Sequence, residues 1–282
     1  MAKKDPNPPL PKGFEAEHGI AWGSRAPGLL EIVYYNMKRK NSVTGEGQMK
    51  MCRLVEAAQT NDEIKVIFIH GGLFYSSGND LSVLAGSQSL EGEEKINASS
   101  KGVEWNMVSN LRMIMKSKKP IVGLVRGQSI GIGFTTMGLF DFIYCTPEAS
   151  FSTPFMKSYQ SPEGASTYTF VQQFGYRRAN EILMLDKPIT AQEAVQCGFA
   201  NGIIEGLNND YFPDITKIPA IPKLLSSDLR TLVNCKELIN ASRDEAALEL
   251  AITREARALV DTWMDEDFPP KIMKFMQSVM GK

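Results

Sequence analysis

Two glycine-containing turns in this sequence could stabilise a negative charge that develops during a reaction. They lie at 74–81 (FYSSGNDL) and 127–134 (GQSIGIGF), and each follows an apolar run typical of a buried strand. Unpaired main-chain N–H groups project where a helix begins, and the helix dipole favours negative charge there. Two such turns facing one point would form an oxyanion hole. Ordinary strand-to-helix turns fit the same pattern, because glycine-rich turns are common.

The sequence motifs and the few histidines and cysteines argue against several other kinds of site. Neither turn completes a P-loop or a G-x-G-x-x-G motif, so support for nucleotide binding is weak. The chain has 2 histidines and 4 cysteines, and the cysteines are far apart with no C-x-x-C pair. A multi-histidine metal site is therefore excluded, and no metal site is expected. A disulfide framework is disfavoured, and a reducing compartment fits better.

Glu163, directly after Pro162, is a candidate proton carrier. From the pattern alone, the favoured interpretation is a carboxylate in the first turn of a helix, where proline is common and the dipole favours negative charge. Other polar residues fit structural roles better than catalytic ones. We expect His70 to be structural at a strand end, Asp80 to cap a helix, and Asp141 to accept a buried hydrogen bond.

Alternating strands and helices must position these residues. Apolar runs predict strands at 29–35, 65–70, 121–125 and 140–145, and apolar spacing predicts helices at 44–60 and from the nineties to 116. The alternation favours an α/β domain with parallel strands. From about residue 164 the pattern becomes helical, and 244–263 forms a strongly amphipathic helix. Its apolar stripe must cover either the first domain or a partner subunit.

Composition limits the partners that the chain could bind. The net charge of the 282 residues is −1, so no overall basic field would recruit nucleic acid or an anionic membrane. No run of 18 apolar residues predicts membrane insertion. The proline-rich first dozen residues predict a flexible arm, and the N-terminus lacks the features of a signal or transit peptide.

Five motifs resemble the crotonase (enoyl-CoA hydratase/isomerase) superfamily in order and spacing. They are F-x-S-S-G-x-D-L at 74–81, K-K-P-I-V-G-L-V-R-G-x-x-I-G-I-G at 118–133, L-F-D-F-I-Y-C-T-P-E-A-S-F-S-T-P at 139–154, P-I-T-A-Q-E-A at 188–194 and C-G-F-A at 197–200. The resemblance implies an α/β spiral of ββα turns that binds CoA thioesters. It also implies a crotonase core at 19–205 and a helical trimerisation region at 206–282, and residues 1–18 precede this core as the expected flexible arm.

The resemblance implies particular binding residues. The oxyanion hole would use the main-chain N–H groups of Asn79 and Ile132; relatives usually carry alanine or another residue at position 79, so its side chain is expected to matter little. The turn with Lys38, Lys40 and Ser42 lies where relatives contact CoA, although a solvated surface turn explains it equally well. The other substrate-binding positions implied are Ser77, Gly78, Leu81, Gly131, Phe134 and Phe155. The two phenylalanines also fit simple core packing.

The acid/base positions resemble those of an isomerase more than those of a hydratase. Hydratases of this family use two glutamates, and Thr135 and Phe155 stand at those positions. Hydration needs one group to activate water and another to deliver a proton. The tract at 160–170 (QSPEGASTYTF) is similar to that of peroxisomal-type Δ3,Δ2-enoyl-CoA isomerases, whose matching glutamate is the catalytic base. The resemblance therefore implies an isomerase of fatty-acid β-oxidation with Glu163 as its single acid/base.

The sequence is also compatible with two alternatives to this isomerase. One is a crotonase-fold binding module without turnover, like the C-terminal domains of chromodomain-Y-type proteins; the other is a dienoyl-CoA isomerase or weak hydratase. We expect no cofactor, because CoA is part of the substrate. The expected partners are an acyl-CoA thioester and further copies of the chain, in a trimer or hexamer. The family implies a peroxisome or mitochondrion, whereas the absence of a visible targeting signal implies the cytoplasm.

Overall fold

The computed structural model describes residues 7–82, 86 and 90–280, and its centre is a seven-stranded sheet. The strands of this sheet, in spatial order, are β1 (Glu15–Glu17), β2 (Ile20–Gly23), β3 (Leu29–Tyr34), β4 (Val66–His70), β5 (Ile121–Val125), β7 (Phe142–Cys145) and β10 (Gly202–Ile203). The first three strands are antiparallel, and β3 to β10 pair in parallel. The parallel pairing predicted from the strand–helix alternation is confirmed.

The central strands are buried on both faces, as parallel strands usually are. Every residue of β4 is buried, and successive side chains point to opposite sides of the sheet. Ile67 and Ile69 join the main core, whereas Val66 and Phe68 join a second, smaller core. The sheet is therefore covered on both sides, which explains why β4 and β5 contain almost continuous apolar runs.

A second, three-stranded sheet links the two glycine-containing turns to the core. It contains β6 (Gln128–Ile130), β8 (Ser150–Ser152) and β9 (Ile189–Thr190), with β8 in the middle. Ser76 in the first turn pairs with Ser129 of β6 through a single bridge. These strands have only two or three residues, too few to show an alternating pattern in the sequence.

Helices cover the sheet and close one side of the site. Thr44 caps α1 (Gly45–Thr60) by accepting a hydrogen bond from the Gly47 N–H. A long helical stretch contains α2 (Gly92–Ser100), a π-helical segment (Lys101–Val108) and α3 (Ser109–Met115). The remaining helices are α4 (Ile132–Thr135), α5 (Ser166–Phe174), α6 (Tyr176–Met184), α7 (Ala191–Gln196), α8 (Ala220–Ser226), α9 (Leu229–Asn240), α10 (Glu245–Met264) and α11 (Phe268–Met280).

The apolar stripe of α10 covers the first domain of the same chain. Leu248, Ile252, Ala256 and Leu259 belong to the main core cluster. The stripe therefore does not by itself argue for a partner subunit. No helix within the described ranges is both long and apolar enough to cross a lipid bilayer.

The described part of the N-terminal segment differs from the flexible arm expected there. Asn7 Oδ1 accepts a hydrogen bond from the Met37 N–H, and Pro8 accepts one from the Tyr35 hydroxyl. Phe14 is buried in a small cluster at the sheet edge. Residues 1–6 of the expected arm lie outside the described residues. The sequence did not predict this packing, because the hydrogen bonds of Asn7 and Pro8 leave no periodic pattern in the sequence.

Candidate active site

The two glycine-containing turns meet at one point in the structure. Ser76 N donates to the Gln128 carbonyl at 3.2 Å, and Ile130 N donates to the Ser76 carbonyl at 2.9 Å. A Cβ at Gly78 would lie only 2.9 Å from the Ile130 carbonyl oxygen, so position 78 must stay free of a side chain. The glycines thus allow the two backbones to approach closely.

Each turn offers a candidate main-chain N–H donor near this junction. Val43 N donates to the Gly78 carbonyl, and Asp80 N donates to the Val43 carbonyl. In such a parallel bridge the intervening residue, Asn79, turns its own N–H to the opposite side. Ile132 is the first residue of α4, so its N–H has no partner within the helix.

Glu163 reaches the junction of the two turns. A Cβ at Gly131 would lie 3.8 Å from Glu163 Oε1 and 3.9 Å from the Cα of Gly78. The Asn79 side-chain amide donates to the carboxylate, with Nδ2 3.1 Å from Oε2 and 3.4 Å from Oε1. The carboxylate is therefore placed beside both candidate N–H donors.

Glu163 is not in the first turn of a helix, contrary to the interpretation favoured by the pattern alone. The following helix, α5, begins at Ser166, and Glu163 lies in the loop before it. Gly164 and Ala165 both have a left-handed backbone, with φ of 77° and 62°. A Cβ at Gly164 would overlap the Thr135 hydroxyl, so the loop packs directly on Thr135.

The environment of Glu163 suits it to accept and return a proton. The whole residue is only 5% exposed. Burial, followed by the negative charge of Glu255, raises its pKa to about 8, although the Asn79 amide and the Ile132 N–H oppose this increase. A carboxyl group with a pKa near the working pH is a more effective general base than an ordinary glutamate.

A narrow cavity of about 110 Å³ opens beside Glu163. Its polar lining residues include Gln48, Asn79 and Glu163. The large apolar residues in its lining are Val43, Leu81, Val103, Met107 and Trp263. A cavity with several apolar residues and a few polar groups is typical of a site for a small molecule.

The structure brings part of the predicted CoA-binding turn next to the first glycine-containing turn. Ser77 N donates to the Lys40 carbonyl at 2.9 Å, and Ser77 Oγ donates to the Arg39 carbonyl at 3.1 Å. Lys38 and Lys40 are exposed, and Ser42 is partly buried. Two cationic side chains are thus available within a few residues of the site, where they could contact an anionic ligand.

Phe134 and Phe155 are core residues, which favours core packing over the substrate-binding role that the resemblance implies. Phe134 is fully buried and packs 4.6 Å from Phe170, measured between ring centroids. Phe155 also belongs to the main core. Neither lines the cavity beside Glu163. Large aromatic side chains fill cores by default, and their position in the motif did not reveal which way they point.

The three structural roles predicted from the sequence are confirmed. His70 is buried, with Nε2 2.7 Å from Glu31 Oε1. Asp141 Oδ2 accepts from the Ile121 N–H and the Lys236 ammonium group, each at 2.7 Å. Asp80 accepts from the Ser82 N–H and also pairs with Arg39.

Sequence reasoning missed three parts of the site: Gln48, Glu255 and the side chain of Asn79. Gln48 Nε2 donates to Asn79 Oδ1 at 2.7 Å. Glu255 lies on the buried face of α10 and binds the loop that carries Glu163. A charged residue within the apolar stripe of α10 was the available signal, because a charge is buried only when it has partners.

A family model described as "Enoyl-CoA hydratase/isomerase" matches residues 25–277. The chain belongs to the enoyl-CoA hydratase/isomerase family. Solved structures support this fold assignment. A structure of Pseudomonas aeruginosa OdaA has a TM-score of 0.77 and 22% identity, covering 92% of this chain and 99% of its own. Enoyl-CoA hydratase from Bacillus halodurans has a TM-score of 0.75 and 20% identity, covering 91% and 99%. The predicted crotonase fold is confirmed.

Curated relatives within the family include isomerases and chromodomain proteins. Human Enoyl-CoA delta isomerase 2 is 30% identical over 256 residues, which cover 88% of this chain and 61% of the relative. Enoyl-CoA delta isomerase 3, peroxisomal, from mouse is 27% identical, covering 88% and 75%. Human Testis-specific chromodomain protein Y 2 is 26% identical, covering 89% and 45%. The chain therefore spans about three fifths of the human isomerase's length.

Proposed function

We propose that this protein is a Δ3,Δ2-enoyl-CoA isomerase that converts a 3-enoyl-CoA into the trans-2-enoyl-CoA in fatty-acid β-oxidation. The observation that carries the proposal is the position of Glu163, a buried carboxyl group with a raised pKa at the junction of two N–H-bearing turns. Thr135 and Phe155 occupy the positions of the hydratase carboxylates. Isomerisation needs one acid/base group, whereas hydration needs one group to activate water and another to deliver a proton.

In the proposed reaction, Glu163 moves one proton between two carbon atoms. The ionised carboxylate takes a proton from C2, and the electrons of that C–H bond form a dienolate. The N–H groups of Asn79 and Ile132 would stabilise the negative charge on the thioester oxygen. The protonated Glu163 then returns the proton at C4, which leaves the double bond between C2 and C3. No cofactor takes part, because oxidation state and charge are unchanged overall.

The remaining contacts follow from the same proposal. Lys38, Lys40 and Ser42 would bind the phosphates and adenine of CoA, and Ser77, Gly78, Leu81 and Gly131 would line the path of the thioester. The acyl chain would occupy the apolar side of the cavity. We further propose a trimer or hexamer in solution.

The similarity to a chromodomain protein supports one alternative, a domain that binds acyl-CoA or a protein without turnover. A purely binding domain has no chemical need for a buried carboxyl group with a pKa of about 8. That environment favours catalysis over the alternative.

An assay with purified protein and 3-hexenoyl-CoA tests the proposal and separates it from the alternative. We expect a conjugated 2-enoyl thioester to form, which increases ultraviolet absorbance. We also expect hydration of 2-enoyl-CoA to be more than about tenfold slower than isomerisation, since general acid–base catalysis contributes about 10²–10⁴-fold. Tight acyl-CoA binding without conversion would instead identify a binding domain.

A further inference from the structure

The side chain of Asn79 holds the Glu163 carboxylate from one side. Asn79 Nδ2 lies within 3.4 Å of both carboxylate oxygens, and Asn79 Oδ1 accepts a 2.7 Å hydrogen bond from Gln48 Nε2. An ionised carboxylate only accepts hydrogen bonds, so Asn79 must present its NH₂ group to Glu163. Its oxygen must then face Gln48, which lies near the start of α1 and is buried. When Glu163 is ionised, as its role as a base requires, it thus sets the orientation of both amides.

Glu255 holds the loop that carries Glu163 from the other side. Its Oε2 accepts from the Ala165 N–H at 2.7 Å. Its Oε1 accepts from the Thr167 N–H at 2.8 Å and from the Thr167 hydroxyl at 2.6 Å. The left-handed conformation of Ala165 is unfavourable for a residue with a Cβ, and it persists only where the surroundings enforce it. The three bonds to Glu255 provide that constraint.

We propose that Asn79 and Glu255 are positioning residues for proton transfer: Asn79, fixed by Gln48, orients the Glu163 carboxylate, and Glu255 fixes the loop and places a second carboxylate nearby. The inference rests on the proposed function in that Glu163 is the base. It revises the expectation that the Asn79 side chain matters little, because that expectation considered only the main-chain N–H.

Asn79 and Glu255 should shift the pKa of Glu163 in opposite directions, and few other charged groups lie near enough to obscure the two effects. Among the described residues that line the cavity, Asp80 is the other titratable group, and Arg39 neutralises it. The first helix contributes the neutral Gln48, and the long helical stretch contributes the neutral Asn106. Helix α10 contributes Glu255, whose charge raises the pKa of Glu163, whereas donation by Asn79 lowers it.

The experiment measures the ionisation of Glu163 directly and its catalytic effect separately. Protein labelled with ¹³C at the glutamate carboxyl carbons is titrated by NMR, and the spectrum of Glu163→Gln identifies the Glu163 signal. The kcat/KM for 3-hexenoyl-CoA is measured from pH 6 to 9 in the same variants. Far-UV circular dichroism confirms that each variant is folded.

Asn79→Ala should raise the pKa of Glu163 and move the rising limb of kcat/KM to higher pH. Its kcat should fall by roughly 10²-fold, the loss expected when a reacting group is misplaced by about 1 Å. Asn79→Ser and Gln48→Leu should shift the pKa in the same direction by less, and they replace Asn79→Ala if that variant does not fold. Asn97→Ala removes an exposed amide from α2 and should change neither quantity.

Glu255→Gln removes the neighbouring negative charge, so it should lower the pKa of Glu163. The rising limb of the kcat/KM profile should then move to lower pH. Thr167→Val retains that charge but loses a hydrogen bond to the loop, so kcat should fall without that downward shift. Glu163 titrating at the wild-type pH in both Asn79→Ala and Glu255→Gln would overturn the inference. If the two pKa values shift as expected but wild-type protein converts no 3-enoyl-CoA, the positioning geometry holds and the proposed function fails.

Discussion

At the scale of single residues, the proposed chemistry depends on how a carboxyl group is kept out of water. Glu163 is buried next to a second buried carboxyl group, Glu255, and both have raised pKa values. A weakly acidic Glu163 is a correspondingly stronger base once it is ionised. The Asn79 amide and the Ile132 N–H limit the increase, so the group can still ionise near neutral pH.

Replacing Glu163 should abolish most of the activity. Glu163→Gln retains the shape of the side chain but cannot accept a proton from carbon. We expect kcat to fall by at least about 10²–10⁴-fold, the usual contribution of general acid–base catalysis. Exchange of the C2 proton with deuterated solvent should fall in parallel, whereas acyl-CoA binding should persist. Near-normal turnover by a folded Glu163→Gln protein would refute the catalytic assignment.

The raised pKa of Glu163 predicts the pH dependence of the reaction. The base must be deprotonated, so kcat/KM should increase as the pH rises through the pKa of about 8 and level off above it. An ordinary glutamate would already be ionised at pH 6 and would give a flat profile. Initial rates between pH 6 and pH 10 distinguish the two cases, and a flat profile would contradict the burial argument.

Introducing a glutamate at position 135, where hydratases of the family have their first carboxylate, should not create a hydratase. Thr135 is fully buried, and Gly164 packs so closely on it that a larger side chain would displace the Glu163 loop. Thr135→Glu should therefore lose isomerase activity and gain no measurable hydration of crotonyl-CoA. Overpacking of this kind costs about 1–3 kcal/mol, which a chemical denaturation curve can measure. Thr135→Ser, which adds no volume, is the matched control; efficient hydration by Thr135→Glu would show that the loop can rearrange.

At the scale of the elements, two helical segments that are distant in sequence contribute apolar residues to the lining of the cavity beside Glu163. The π-helical segment contributes Val103 and Met107, and α10 contributes Trp263. π-Helical turns are rare and occur frequently at functional sites. The cavity is small, so the bulk of Trp263 should limit how long an acyl chain it accepts.

Shortening Trp263 should change the preference for chain length. Trp263→Ala removes a side chain that buries about 150–250 Å² when enclosed, which lengthens the apolar side of the cavity. We expect kcat/KM for 3-dodecenoyl-CoA to increase at least several-fold relative to 3-hexenoyl-CoA. Trp22→Ala is the control, because Trp22 lies under Lys50 and does not line the cavity. An unchanged ratio would show that the acyl chain takes another path.

At the scale of the whole molecule, the C-terminal helices both complete the core and leave apolar residues exposed. The stripe of α10 is covered within the chain, and Glu255 on the same helix binds the loop that carries Glu163. Leu238, Ile239 and Leu250 remain exposed on α9 and α10. Large apolar side chains on helical surfaces are typical of sites where subunits associate, and they now support the proposed trimer better than the stripe does.

The assembly prediction can be tested without a substrate. Multi-angle light scattering at micromolar concentration should give three or six times the mass of one chain. Leu238→Glu and Ile239→Glu together place charge on the exposed face of α9 and should weaken assembly without unfolding the monomer. A stable wild-type monomer would contradict the prediction.

The sequence by itself determined those features that local patterns encode. Apolar runs located strands β3, β4, β5 and β7, and 3.6-residue spacing located α1 and α10. The motifs placed the chain in its family and identified Glu163 as the candidate base. These features are predictable because each depends on neighbours within one turn or one strand.

Only the tertiary structure decided which side chains meet. Glu255 binds Ala165 across 90 positions of sequence, and Asn79 reaches Glu163 across 84. The tertiary packing also decided that Phe134 and Phe155 lie in the core rather than in the cavity. Local periodicity carries no information about such pairs, because their contact depends on how distant helices and turns pack against one sheet. For that reason the identity of the candidate base was predictable from sequence, whereas the groups that set its pKa were not.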